Sequence, residues 1–489
     1  PVQTASIIEE VTRRAGVIIR LAQAFSWNRL AERAAGGPAD LSLSYLSWRL
    51  AAHETAVRGR QYDSVARRLN TAILDNPRAE ASWKRVLGYT YNDVLAIRDA
   101  VARICTHRMR NVAETMREAV ATDDPSRLDE TVRSAFDTCF ERPSPLRLVT
   151  IEDVRGESAI EPEPIQAILD RFSLGPDGRD ARALISEFVQ GRSPMMGKGI
   201  IQVPGSGYLI LNGAIALDEI RRNCEAQIKT SSHWTKYSDM RAANAEKYVA
   251  DVLDELLLER ADVHTSLKYR IPPPESPRVD LSATARTPNE GDIAEADALL
   301  VLDGVAICVE VKSGDLRPKS RQGGPSQLQG DLEKNVTQAA QQADRLRHLV
   351  ETNRGLWLST GSWLDLNEVQ EIHSIVVSLD DLGPVVLDME HVIASRVIDQ
   401  VHLPWITSLH DLVVICETLH EKPEDLLLYL RRRTHWESAR RISASDELDV
   451  FMWFMSGGLY FEPDPDRLHT EQPGSRPPSE KERRRYEEQ

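Results

Sequence analysis

The chain has 489 residues, 60 Lys and Arg against 75 Asp and Glu, a formal net charge of −15 and 41% hydrophobic side chains, which at roughly 100–200 residues per domain predicts two to four domains. The acidic balance excludes a protein that coats nucleic acid non-specifically, so any DNA contact needs a local site. No run of eighteen apolar residues offers a membrane span, and five scattered cysteines (Cys105, Cys139, Cys224, Cys308 and Cys416) give neither a disulfide framework nor a zinc knuckle.

Residues 1–145 are predicted to be helical. Ile7, Val11, Val17, Ile18, Leu21 and Ala22 recur near the 3.6-residue period, as do Val94, Leu95, Ile97, Val101 and Ile104. Breaks fall at Gly36-Gly37-Pro38 and Pro143-Ser144-Pro145. This domain is expected to be an interaction platform for a protein partner or for a second copy in a homo-oligomer. Residues 146–230 form a mixed α/β connecting region: a strand over 146–151, a helix over 165–172, and two short strands within 199–211 broken at Pro204-Gly205. Gly191 followed by Gly197-Lys198 is not a phosphate loop, because five residues separate the glycines and Gly199 replaces the Ser or Thr. The chain then turns helical through Ile220, Cys224 and Ile228. A second helix over 240–258 carries Ala245, Val249, Val252, Leu253 and Leu256 on one stripe.

The most informative segment runs from Ala296 to Lys312, two apolar runs joined by Asp303-Gly304. An Asp-Gly pair between β-prone runs signals a two-residue hairpin, since both turn positions take positive φ. Leu302 then faces Val305, and counting outward brings Asp297 opposite Glu310. The period of two puts Glu310 and Lys312 on one face, with Val309 and Val311 on the other. The second strand is apolar on both faces, as a buried central strand is, and Glu and Lys rarely occupy such a strand unpaired. An ordinary hairpin with a Glu310–Lys312 pair is the plain reading. Two facing carboxylates beside a lysine are also what a hard divalent cation requires.

At these residues the chain resembles the PD-(D/E)XK, or restriction-endonuclease-like, nuclease superfamily over about 230–380. Asp297 and Glu310-Val311-Lys312 match its Asp and E-x-K on successive strands, with Ala296 where many members carry Pro. The resemblance implies an α+β multidomain protein whose central domain (231–380) is a mixed sheet flanked by helices. It implies an Mg²⁺-dependent nuclease, with Mn²⁺ as a substitute, that hydrolyses phosphodiester bonds of nucleic acid, DNA foremost. Asp297, Glu310 and the Val311 carbonyl would hold the metal. Lys312 would orient water or offset charge on the phosphate, and Glu246 on the preceding helix would support the metal shell. Gln338 and Gln342, on one helix face with Arg345, would contact phosphate or orient the site. Arg317, Lys319 and Arg321 precede Gly323-Gly324 in what is expected to be a basic flexible loop at the nucleic acid. Prokaryotic antiviral defence or repair follows only by analogy. The alternative is a non-catalytic nuclease-fold scaffold or nucleic-acid-binding protein that mediates assembly.

Residues 381–462 read as a mostly helical C-terminal module. It holds a helix over 408–419 with Asp411 as candidate cap, one over 423–433 ending in Arg431-Arg432-Arg433, and one over 446–455 stopped by Gly457-Gly458. Phe451, Trp453, Phe454, Tyr460 and Phe461 are expected in a core or a protein contact, and His402, His410, His420 and His435 lack metal-ligand spacing. Residues 463–489, rich in Pro and charge, are expected to be disordered. The opening Pro1 to Ser6 lacks the pattern of a secretory signal, and with the sparse cysteines this predicts a cytoplasmic location.

Overall fold

The computed structural model describes residues 2–33, 38–56, 61–121, 133–134, 144–176, 180–211, 215–273, 280–287, 291–399, 401–461, 465–466, 469 and 476–487. It is an α+β structure in two compact units, one of Pro1–Phe25 with Val57–Asn244, the other of Ser26–Ala56 with Ala245–Gln489. These boundaries differ from the sequence divisions at 145, 230, 380 and 462. The reason lies in the second helix: α1 (Val2–Arg33) is followed by α2 (Pro38–Ala56), whose Leu43, Leu46 and Leu50 lie in a core with Leu328, Leu332, Val376 and Ile406.

The first unit contains α3 (Asp63–Leu74), α4 (Pro77–Leu87) and α5 (Tyr91–Ala121); of the expected stripe of α5, Val94, Ile97, Val101 and Ile104 are buried and Leu95 is half-buried. The strand expected over 146–151 is only Leu148–Val149 (β1). Thr150 caps a helix there, its hydroxyl accepting from the Asp153 amide while the Asp153 carboxylate accepts from the Thr150 amide. That helix is α6 (Ile151–Ser158), followed by α7 (Pro162–Arg171), β2 (Ser173–Leu174) and α8 (Ala181–Val189). The two expected short strands form as β3 (Ile200–Val203) and β4 (Gly207–Ile210), which pair antiparallel in a four-stranded sheet ordered β1-β4-β3-β2. Helix α9 (Leu217–Ile228) follows. Helix α10 spans Trp234–Leu256, starting six residues before the predicted helix over 240–258.

The second unit is built on a five-stranded mixed sheet. Its strands are β5 (Asp262–Ile271), β6 (Asp292–Leu302), β7 (Val305–Lys312), β10 (Glu371–Ser378) and β11 (Trp405–Ser408), in the order β11-β10-β7-β6-β5. A small separate ribbon, β8 (Gly355–Trp357) with β9 (Trp363–Asp365), lies between them in sequence. β5, β6 and β7 are antiparallel neighbours, whereas β10 is parallel to both β7 and β11. The hairpin turns as read: Asp303 and Gly304 both have positive φ, and the ladder runs from Leu302–Val305 to Ala298–Val309. β7 is the middle strand and is buried along most of its length. Between β7 and β10 come α11 (Pro318–Arg321), α12 (Pro325–Leu332), a π-helical turn over Glu333–Thr337 and α13 (Gln338–Asn353). Helix α13 covers one sheet face, packing Ala343, Leu346, Leu349 and Val350 against Ala306, Cys308 and Ile372.

The C-terminal part is less separate than its helical reading. Strand β11 is unanticipated: four buried residues between Pro404 and a helix form the sheet's edge. Helices α14 (Met389–Ala394), α15 (Leu409–Leu419), α16 (Pro423–Arg433), α17 (Trp436–Arg441) and α18 (Glu447–Gly457) surround it. Ser408, not Asp411, caps α15, its hydroxyl accepting from the Asp411 amide at 3.0 Å. Phe451 and Phe454 are core, whereas Trp453 and Tyr460 are exposed. Arg431 pairs with Glu371 and Arg433 with the buried Glu447, which accounts for two of the three arginines. The tail departs from its expected disorder at α19 (Glu480–Glu487), where Tyr486 stacks on Arg441. Residues 463, 464, 467, 468, 470–475, 488 and 489 lie outside the described residues. Cys224, Cys308 and Cys416 are buried thiols and Cys105 is half-buried; Cys139 lies outside the described residues. Among the described residues no helix is long and apolar enough to cross a membrane.

Candidate active site

Strand β7 delivers two of the expected residues by its alternation. Ala306 and Cys308 occupy the core under α13, and the same face continues to Glu310 and then Lys312 at the strand's end. Glu310 is 2% exposed. The Lys312 ammonium donates to Gln342 Oε1 at 2.7 Å and to Glu310 Oε2 at 3.3 Å. One turn further along α13, Arg345 sits where its Nε meets the buried Tyr269 hydroxyl at 3.5 Å.

Asp297 reaches the same place by an irregularity. The ladder with β7 stops one pair short of Asp297–Glu310, and the Asp297 carboxylate instead accepts the Val311 amide at 2.6 Å. On β6 the core-facing residues are even-numbered before Asp297 (Ala294, Ala296) and odd-numbered after it (Leu299, Val301). Opposite on β5 the ladder is paired at Thr265 and Leu267 but skips Ser266, whose φ is +48°. Strict alternation breaks at this position, and the carboxylate takes up a backbone donor at the end of the central strand.

The electrostatics are those of a site short of positive charge. Burial, and then the nearby Asp297 charge, push the Glu310 carboxyl up to about 8. Burial also raises Asp297, against the pull of the Val311 amide and Lys312. Glu246 on α10 is pushed up to about 7 by burial, by Asp297 and by Glu295. Glu246 and Glu310 each feel the Asp297 charge, and the cations acting on the three carboxyls are Lys312 and, for Glu310, Arg345. Each charged carboxylate is disfavoured here unless a further cation arrives.

Asp297, Glu310, Lys312, Gln342 and Arg345 are therefore brought together by direct hydrogen bonds or mutual charge, and Glu246 joins them through its field. Gln338, one turn before Gln342, is exposed and has no hydrogen bond to this group among the described residues. The basic flexible loop is corrected: it is folded and packed. Arg317 is tied to Asp331 by its Nε at 2.6 Å and its amide at 2.8 Å, and Ser320 donates to the same carboxylate. Arg321 is 1% exposed, paired with Glu54 of α2 and with Asp380. Those partners are far away in sequence, so the local run of cations concealed their role, and Arg321 is not placed to contact nucleic acid. Lys319 is exposed. Tyr269 and Glu295 escaped the sequence reading. The alternation of Leu267 and Tyr269 on β5 would have placed the tyrosine inside, but not beside the carboxylates.

Asp297 and Glu310 suit a divalent ion by their chemistry, two hard oxygen donors whose charged forms are disfavoured chiefly by burial. Among the described residues no three His, Cys, Asp or Glu side chains gather as metal ligands. Comparison with protein-family models and with curated proteins finds no match to this chain.

Proposed function

We propose that the second unit is a metal-dependent nuclease that hydrolyses phosphodiester bonds of nucleic acid, DNA foremost. The observation that carries this reading is the convergence of Asp297, Glu310, Lys312 and Gln342 at the end of the middle strand, with Glu310 buried and only partly neutralised. The mixed sheet flanked by helices, with an Asp on one strand and E-x-K on the next, supports a restriction-endonuclease-like fold.

Asp297, Glu310 and the Val311 carbonyl would hold Mg²⁺ or Mn²⁺, which when bound polarises the scissile phosphate and lowers the pKa of a water. The Lys312 ammonium, fixed by Gln342 and Glu310, meets negative charge growing on the phosphate. Gln342 is a positioning residue, since it acts through Lys312. Glu246 adds a third acidic group at the edge of the site, and Arg345, Lys319 and Gln338 are available to phosphates along the strand. Antiviral defence or repair remains an analogy from the fold.

The test is cleavage of linear, circular and single-stranded DNA, and of RNA, in Mg²⁺ or Mn²⁺. Wild type is expected to cut DNA, and Lys312→Ala to lose about 10²–10³-fold in rate. Wild type that cuts nothing, or a variant that cuts equally well, ends the catalytic reading. One observation favours a non-catalytic scaffold: Arg317 and Arg321 serve the fold, leaving fewer cations for phosphate. Thermal unfolding separates the two readings, since Mg²⁺ stabilises wild type but not Asp297→Asn only if the carboxylates bind metal.

A further inference from the structure

In a chain of net charge −15, residues 431–441 hold five arginines against one acid, Glu437, and no lysine. Arg431 and Arg433 are taken by Glu371 and Glu447. Arg432, Arg440 and Arg441 have no carboxylate partner among the described residues, and each lies over an aromatic ring instead. Arg432 is 6.0 Å from the Tyr460 ring centre, Arg440 is 5.9 Å from Trp436, and Arg441 is 5.8 Å from Phe461 and 4.3 Å from Tyr486. Phe461 also meets Trp453 edge-on at 5.4 Å, so α17, the end of α18 and α19 share one surface. On it Trp436 is 40% exposed, Trp453 46% and Tyr460 66%. Of the three acids that open α18, Glu447 is buried against Arg433 and Asp446 accepts the Leu448 amide, whereas Asp449 is exposed.

We infer that this surface binds single-stranded nucleic acid, with bases stacked on the exposed rings and phosphates on the edges of the arginines. A guanidinium over a ring still points N–H groups outward in its own plane, a fork that takes phosphate bidentately and that an ammonium does not reproduce. Exposed Trp and Tyr faces add stacking, which any unpaired base can use. A duplex keeps its base faces inside, so the rings select unpaired strands. The choice of nucleic acid over another polyanion rests on the nuclease reading of the same unit. The surface is an exosite. Arg431 holds Glu371 at the first residue of β10, whereas Lys312 lies beside Ser378 at its last, and the ends of that eight-residue strand are roughly 23 Å apart.

Fluorescence anisotropy of a fluorescein-labelled oligothymidylate, with the full chain in EDTA so that no cleavage intervenes, tests the surface. Wild type and Lys312→Ala are expected to bind equally. Arg440→Gln should weaken binding and lower the slope of log affinity against log salt by about 0.7, the loss of one phosphate contact. Trp453→Ala should weaken binding about tenfold and leave that slope unchanged. Both positions are exposed, so helix content should match wild type. Wild type that does not bind, tighter binding of a blunt duplex or of phosphatidylserine vesicles than of the oligothymidylate, or variants that bind as wild type does would overturn the inference. Cleavage in Mg²⁺ is read separately. Binding without cleavage removes the nuclease reading and leaves this surface standing, and cleavage without these binding effects does the reverse.

Discussion

At the scale of single residues, the decisive fact is a glutamate kept nearly dry. Glu310 holds its proton in the fold up to about 8, against an ordinary value of 4.5. Between those values the folded state binds the proton that the unfolded chain has released, so stability falls as pH rises. Glu246 acts in the same sense up to about 7. Metal-free protein is therefore expected to lose stability from pH 5 to pH 9. Glu310→Gln should flatten that decline and be more stable than wild type by a few kcal/mol at the alkaline end. Denaturant titrations across pH check this, and parallel slopes for the two proteins would refute it. Protons and metal compete for the same oxygens. Cleavage at limiting Mg²⁺ should therefore rise through pH 7–8, and the rise should move to lower pH as Mg²⁺ is added. A pH profile indifferent to Mg²⁺ would count against Glu310 as a ligand. The meeting of Glu310 and Lys312 was readable from the sequence because alternation sets the face, and the two-residue turn placed Asp297 at the same end of the hairpin. The manner of Asp297's approach was not, since it depends on a backbone departure at Ser266, on a strand whose pairing with β6 spans a long loop.

At the scale of elements, local signals performed well where the energetics are local. The Asp-Gly turn, the proline at the start of α16 and the glycine stop after α18 all lie where read, each set by φ preferences or caps within a few residues. Strand β11 escaped notice because its four residues carry no alternation and become a strand only by pairing with β10, residues 371–378. The segment from Arg317 to Gly324 was misjudged for the same reason, its charges being answered by Glu54, Asp331 and Asp380. The consequence is measurable. Arg321→Ala strands two buried carboxylates and should cost about 3–5 kcal/mol in urea unfolding. Lys319→Ala, on the same short helix but exposed, should stay within about 0.5 kcal/mol of wild type. Equal effects for the two would show that Arg321 is not buried as described.

At the scale of the whole molecule, the second unit is drawn from two stretches of chain separated by the first. Helix α2 contributes Leu43, Leu46 and Leu50 to its core and Arg49, which meets Asp388 at 2.5 Å. Each buried leucine removed costs about 2–5 kcal/mol, and three together approach the usual margin of a domain, about 5–15 kcal/mol. Residues 245–489 alone are thus expected to lack cooperative unfolding, and to regain it when 26–56 is supplied as a peptide or fused segment. A fragment 245–489 that melts like the full chain would contradict the shared core. This nesting also sets an order in time. On a translating ribosome α2 emerges early, but Leu328, Val376 and Ile406, which cover it, follow some 270 to 350 residues later. At roughly 5–20 residues per second that interval is on the order of tens of seconds, during which three leucines wait uncovered while the intervening unit is free to fold. The nascent chain therefore offers chaperones a defined apolar helix and a long window in which to hold it.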